Sequence, residues 1–322
     1  MTSSLHTSAD NDLLTAFYNA SGAVPFRLCN DYLFRALMQV DEAALKSLIQ
    51  AVIRQPDGVE VASAEILNPI ELGASIKEKD FILDILVRYN NNYHINIEMQ
   101  VANEDDWPER SLSYLCRTFD NLNKGESYRN VKTAVQISLL DYSLFPEHPS
   151  FYSAYLMMNT ATHAVYSDKF RLYVVCLNQR NLASKADKMF QLDKWAEFFR
   201  AKTWEELQMT VKDNPVMEEA ASHLHKLTEE ERIRYQCEAR ERWLLFERSK
   251  RESRKELEKE LSDTIQKLDA ANQQLTDSNQ QLSDANQQLS DANQQLSEKD
   301  HQIEDLNAEI IRLQKELAKL QG

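Results

Sequence analysis

The seven residues INIEMQV at 95–101 alternate strictly. Ile95, Ile97, Met99 and Val101 fall on one face of an extended chain, and Asn96, Glu98 and Gln100 fall on the other. The run DFILDILVRY at 80–89 reads as a second strand, with Ile82, Asp84 and Leu86 on one face. The short polar stretch from Tyr89 to Tyr93 predicts a hairpin of residues 80–88 with 94–102. Further strand-like runs lie at 59–67, 131–145, 151–160 and 169–178. A helical period instead marks Asn30–Arg54, where Leu33, Phe34, Leu37, Leu45, Leu48, Ile49 and Val52 make one stripe behind a capping Asn30. Residues 104–125 predict another helix, closed by Gly125, and helices return from about Asp187.

From about Thr228 the composition shifts to Glu, Arg, Lys and Gln, and residues 251–320 show a heptad. Leu261, Leu268, Leu275, Leu282, Leu289, Leu296, Ile303, Ile310 and Leu317 fall seven apart; taken as position a, they place Ala271, Ala285, Ala292, Leu306, Leu313 and Leu320 at d. So long a seven-residue repeat predicts a left-handed coiled coil and a homo-oligomer. The near-identical LSDANQQ copies should pair more weakly than 303–320, because alanine at d buries little. The expected organisation is a flexible leader at 1–25, a mixed core at 26–185, a helical extension at 186–245 and a heptad-repeat coiled coil at 246–322.

Composition narrows the classes. With 5 Gly and 7 Pro in 322 residues, long loops should be few. No apolar run reaches the roughly 18 residues of a membrane span, and MTSSLHTSADNDLL lacks the apolar region of a secretory signal. Four cysteines lie far apart without a CxxC pair. A cytoplasmic protein with reduced thiols and no membrane partner is expected. The net charge of −14 opposes broad attachment to nucleic acid, so chemistry on nucleic acid must rest on a local site.

One place looks able to carry chemistry. If the hairpin turn is symmetric about Asn91, Asp84 falls opposite Glu98 and Ile82 opposite Gln100. Directly opposed residues share a face with Cβ atoms about 5 Å apart. Two carboxylates so placed repel, and one is pushed towards protonation. A divalent cation such as Mg²⁺ resolves the conflict with hard oxygen ligands; so do basic neighbours, for which Lys77, Lys79 and Arg110 qualify. Arg110 and Tyr114, four apart, share a helical face. Asp31 is either a first-turn acid facing its helix dipole or an accessory acid of the site.

The string LDILVRYNNNYHINIEMQ, with KEKDF just upstream, resembles the PD-(D/E)XK nuclease superfamily, in particular its Rpn-type branch of recombination-promoting nucleases, the PD-(D/E)XK family transposases. NDYLFRALM, Arg110 with Tyr114, and LNKGESYRNVKTAVQISLLDY extend the likeness over about residues 25–245. The resemblance implies a restriction-endonuclease-like α/β core with a mixed central sheet and flanking helices, followed by the long C-terminal coiled-coil helix. It implies Mg²⁺-dependent hydrolysis of DNA phosphodiesters, with Mn²⁺ as an alternative ion, in recombination, mobile-element movement or defence. Asp84, Glu98 and Gln100 would be catalytic. Asp84 and Glu98 would hold the metal, with Asp31 as an accessory acid. Lys79, Arg110 and Tyr114 would meet the substrate phosphate. Gln100 stands where most of the superfamily has lysine, as it commonly does in the Rpn-type branch; an uncharged amide leaves the proton acceptor unassigned. The alternative is a catalytically silent, nuclease-like scaffold that assembles through its coiled coil.

Overall fold

The computed structural model describes residues 8–55, 63–70, 84–90, 92–103, 105–120, 122 and 124–320. The chain begins with α1 (Ser8–Asn19), α2 (Asp31–Val40), α3 (Glu42–Ile53) and β1 (Ala64–Ile66). It continues through β2 (Ile85–Tyr89), β3 (Tyr93–Gln100), α4 (Trp107–Phe119), β4 (Thr133–Leu140), β5 (Tyr152–Met158) and β6 (Val165–Cys176). It ends with α5 (Lys185–Met189), α6 (Leu192–Arg200), α7 (Trp204–Val211), α8 (Pro215–Glu229) and α9 (Glu231–Leu320).

The strands form one mixed six-stranded sheet in the order β1-β2-β3-β4-β6-β5. β1, β2 and β3 are antiparallel neighbours, β3-β4 and β4-β6 are parallel, and β5 returns antiparallel to β6. The hairpin register is the expected one: Ile85 pairs Ile97, Val87 pairs Ile95 and Tyr89 pairs Tyr93. The apolar alternation faces a large core. Ile85, Val87, Ile95, Ile97, Met99, Val135, Ile137, Leu139 and Val175 all pack there with residues of α2, α3, α6, α7 and α8. The opposite face carries Asn96, Glu98, Gln100, Gln136 and Ser138, and α4 packs on β3, β4 and β6 over it. Trp107 of α4 joins Leu140, Val174 and Cys176 in a second apolar cluster beside that polar strip. The polar side of INIEMQV is therefore neither wet nor apolar: Asn96, Glu98 and Gln100 are all buried.

Several boundaries differ from the sequence reading, each for a local reason. Within the supposed flexible leader, Ser8–Asn19 form α1, which packs on α8 and buries Phe17 completely. Asn30 caps α2 as expected, accepting from the Tyr32 and Leu33 amides. The single helix expected over Asn30–Arg54 is broken at Asp41, whose carboxylate takes the Ala44 amide at 2.8 Å and starts α3. A short Asp side chain that can bond nearby amides favours a cap over a helix interior. The helix expected to 125 ends at Phe119, and Gly125 lies beyond it at φ +90°. The strand expected at 80–89 is described only from Asp84, and residues 80–83 lie outside the described residues.

The chain divides into two compact units, Met1–Arg248 and Ser249–Gly322. In the first, the start of α9 buries Ile233, Gln236, Cys237 and Arg240, spaced as one helical face. In the second, every residue from Glu252 to Leu317 is exposed on a continuous helix. Among the described residues, no helix is long and apolar enough to cross a membrane.

Candidate active site

Asp84 immediately precedes β2. Continuing the ladder one step beyond Ile85 and Ile97 sets it opposite Glu98, on the face under α4. Its backbone is clamped from the side. Asn68, just after β1, donates to the Asp84 carbonyl at 3.1 Å and accepts from the Leu86 amide at 2.9 Å. The buried Arg35 of α2 also donates to the Asp84 and Asn68 carbonyls. The Asp84 carboxyl itself keeps Oδ1 buried without a hydrogen-bond partner among the described residues. Burial holds its pKa above the ordinary carboxylate value, against the opposing pull of Arg35, Arg110 and Arg117.

Glu98 is 5% exposed in the middle of the sheet. Arg110, one turn into α4, donates to Oε1 at 2.6 Å, while Oε2 is buried with no hydrogen-bond partner among the described residues. Burial outweighs Arg110, and the neighbouring Asp84 and Asp31 add repulsion, so its pKa rises to about 7. The Arg110 guanidinium also lies 5.7 Å from both the Trp107 and Tyr114 ring centres. Burial, followed by the charge of Glu98, raises the Tyr114 phenol. The Arg117 guanidinium lies 5.9 Å from the same ring centre.

The structure thus brings Asp84, Glu98, Arg110 and Tyr114 together, with Asp31 close enough to act on Glu98 electrostatically. Asp31 is already engaged. The buried Arg240 of α9 binds both its oxygens, Nε lying 2.8 Å from each. Gln100 follows Glu98 on the same strip, and its amide donates to the Ala102 carbonyl at 3.1 Å. Lys77 and Lys79 lie outside the described residues.

Among the described residues, no group of three or more His, Cys, Asp or Glu is placed to hold a metal ion. Among the described residues, a cation here would rest on two carboxylates. Mg²⁺ needs no more from a protein, because water and substrate phosphate complete its shell. The residues fit it in one specific respect: two buried carboxylate oxygens on opposed residues have no hydrogen-bond partner among the described residues.

Sequence reasoning did not find Arg35, Asn68, Ser138 or Arg240. Ser138 lies directly beside Glu98 in the parallel β3-β4 register, fully buried; its hydroxyl, Gln136 Nε2 and Trp107 Nε1 are buried without a hydrogen-bond partner among the described residues. The polar positions Gln136 and Ser138 inside the apolar run TAVQISLL were the available signal. Arg35 and Arg240 gave none, as each sits in an ordinary helical pattern. Past the end of β4, the Asp141 amide donates to the Gln100 carbonyl at 3.0 Å. Asp141 also lines a cavity of about 360 Å³ with Arg27, Cys29, Arg200, Lys202 and Glu241.

No curated protein and no solved structure matches the chain significantly. A family model, described as PD-(D/E)XK nuclease family transposase, matches residues 28–252, which takes in the whole sheet, α4 and the start of α9. With more than half its length matched, and with a mixed sheet flanked by helices, the chain belongs to the PD-(D/E)XK nuclease family transposases.

Proposed function

We propose that the protein is a metal-dependent endodeoxyribonuclease of the cytoplasm that hydrolyses phosphodiester bonds in recombination, mobile-element movement or defence. One observation carries this reading: the opposed acids Asp84 and Glu98 each keep a buried oxygen without a hydrogen-bond partner among the described residues. Unpaired buried carboxylates are costly, and a binding site for a hard cation gives them a use. Asp84 and Glu98 would hold Mg²⁺ or Mn²⁺, and Asp31, whose two oxygens Arg240 binds, would serve as an accessory acid through its charge. Such an ion makes the phosphorus more electrophilic and its bound water more acidic.

The chain's own groups then have definite tasks. Arg110, ion-paired to Glu98 and a third exposed, turns towards the phosphate and balances its charge. Tyr114 walls the site. Gln100 orients the attacking water through its amide and, being uncharged, does not take the proton. Lys79 offers a further charge to the phosphate. Around the cavity past β4, Arg27 and Arg200 are ion-paired to Asp141, and Lys202 would add a charge for flanking phosphates. Water adds to phosphorus, one P–O bond breaks, and the products are a phosphate monoester and a free hydroxyl. Self-association through the C-terminal heptads belongs to the same reading.

The test is incubation of the purified full chain with supercoiled plasmid and Mg²⁺, beside an Asp84→Ala variant and a labelled RNA arm. Mg²⁺-dependent nicking of the plasmid that vanishes in the variant is expected. Equal inertness of both proteins overturns the proposal. It favours the silent scaffold, for which the Arg110–Glu98 and Arg240–Asp31 ion pairs are the supporting observation. Cleavage of RNA alone overturns the DNA assignment.

A further inference from the structure

We infer that the helix of the Ser249–Gly322 unit pairs with a second copy of this chain as a parallel, two-stranded coiled coil. Residues 303–317 set its register, and the LSDANQQ heptads form a spacer whose length can change by whole repeats. The inference rests on the self-association read from the heptads and adds strand number, direction and register.

The exposed surface is specific. Leu261, Leu268, Leu275, Leu282, Leu289 and Leu296 are each 59–62% exposed along one seam. Ile303, Leu306, Ile310, Leu313 and Leu317 continue it at 50–59%. Burying these side chains removes on the order of 1,000 Å² from water per helix, above the roughly 800 Å² per partner of a stable interface. A lipid surface is a poor occupant. It needs a broad apolar face with cations opposite, whereas the repeat offers one leucine in seven among Ser, Asp, Asn and Gln. A second copy fits because the spacing is self-complementary: each a-position knob meets a hole made by the same heptad of its twin.

Strand number follows from the last heptads, where Ile303 and Ile310 at a alternate with Leu306 and Leu313 at d, the arrangement that favours two parallel strands. Direction follows from the asymmetry of the helix. Parallel pairing sets the Ile/Leu segment against its own copy. Antiparallel pairing sets it against the stretch where Thr264, Ala271 and Ser278 hold the d positions.

Register follows from the repeats. LDAANQQ, LTDSNQQ, LSDANQQ and LSDANQQ occupy 268–295, so a slip of seven residues, about 10 Å along the helix, still sets leucine on leucine and small residue on small residue. The middle therefore cannot choose a register. Lys299, at d between spacer and clamp, meets an alanine or leucine layer after such a slip, and one Ile/Leu layer loses its partner. These positions choose.

The experiment uses the full chain in a Cys116→Ser background, since Cys116 is the exposed one of the four cysteines. The expected results are a sedimentation-equilibrium mass of twice 37.3 kDa and a disulfide-linked dimer when Leu306→Cys is mildly oxidised. Deleting 282–288 keeps both. Replacing Ile310 and Leu313 together by Asn loses both, with the core's circular dichroism and melting unchanged. A monomeric parent chain overturns the self-association itself. A trimer, a dimer that does not cross-link at 306, a dimer indifferent to the double Asn variant, or a dimer lost on deleting 282–288 overturns only the inference drawn here.

Discussion

At Glu98 two effects compete at one carboxyl group. Arg110 at 2.6 Å favours the anion, while burial under α4 and the nearby acids favour the neutral form, and burial wins, leaving a pKa near 7. An unfolded glutamate titrates near 4.3. Between these values the folded protein holds a proton that the unfolded chain has released. Glu98 therefore contributes its stability fully below the unfolded value, and loses it as pH rises through 7. Metal-free protein should melt lower at pH 8 than at pH 5.5, with on the order of 1–3 kcal/mol attributable to this group. Glu98→Gln, which has no proton to lose, should flatten that slope. An equal slope in parent and variant, measured by urea unfolding at both pH values, would show that Glu98 is not the group responsible. Asp84 differs because its side chain has no ion pair at hydrogen-bond distance among the described residues, while its backbone is clamped by Arg35 and Asn68. Asp84→Asn should leave melting unchanged or raise it by about 1 kcal/mol while plasmid nicking falls to background. A large loss of stability would mean that the carboxylate holds the fold together.

At the scale of elements, the join between α2 and the start of α9 is the least forgiving contact near the site. Arg240 and Asp31 are both buried and bound through two carboxylate oxygens, and Asn30 donates to the Cys237 carbonyl at 3.3 Å alongside them. Removing one member of such a pair strands a buried charge. Arg240→Met should cost roughly 3–5 kcal/mol, and adding Asp31→Asn should recover part of it, because the stranded charge goes too. Simple additivity of the two losses in denaturant melts would refute that coupling. This join also marks what the sequence could and could not reveal. The hairpin was legible, turn and register included, because a period of two and a short polar link fix which residues oppose one another. The Asn30 cap was legible because capping is local chemistry. Asp31 with Arg240 was not, since 209 residues separate them and each lies in an unremarkable helical pattern. The break at Asp41 was also hidden, because the apolar stripe of α2 and α3 continues across it. A cap within a periodic run shows only when the folded backbone is seen to turn.

At the scale of the whole molecule, the layering around the sheet shows what the polar strip of one strand meets. The alternation set Asn96, Glu98 and Gln100 on one face, and parallel pairing with β4 and coverage by α4 bury them beside Gln136 and Ser138. Only the layering, which no local pattern encodes, turns an alternating strand into an enclosed acidic site. The second unit poses a different question, since the family match ends at 252, close to the boundary after Arg248. Everything that forms the sheet, the acids and the Arg240 contact precedes that point. A chain ending at Glu260 should therefore keep the melting transition of the first unit and any nicking that depends on Asp84. It should sediment as a monomer of lower mass, because the leucine seam from Leu261 onward is gone. Persistent nicking by that monomer would separate cleavage of one strand from assembly. Loss of nicking with the core still folded would mean that two copies must be held together to cut, and the heptads would then be part of what cutting requires.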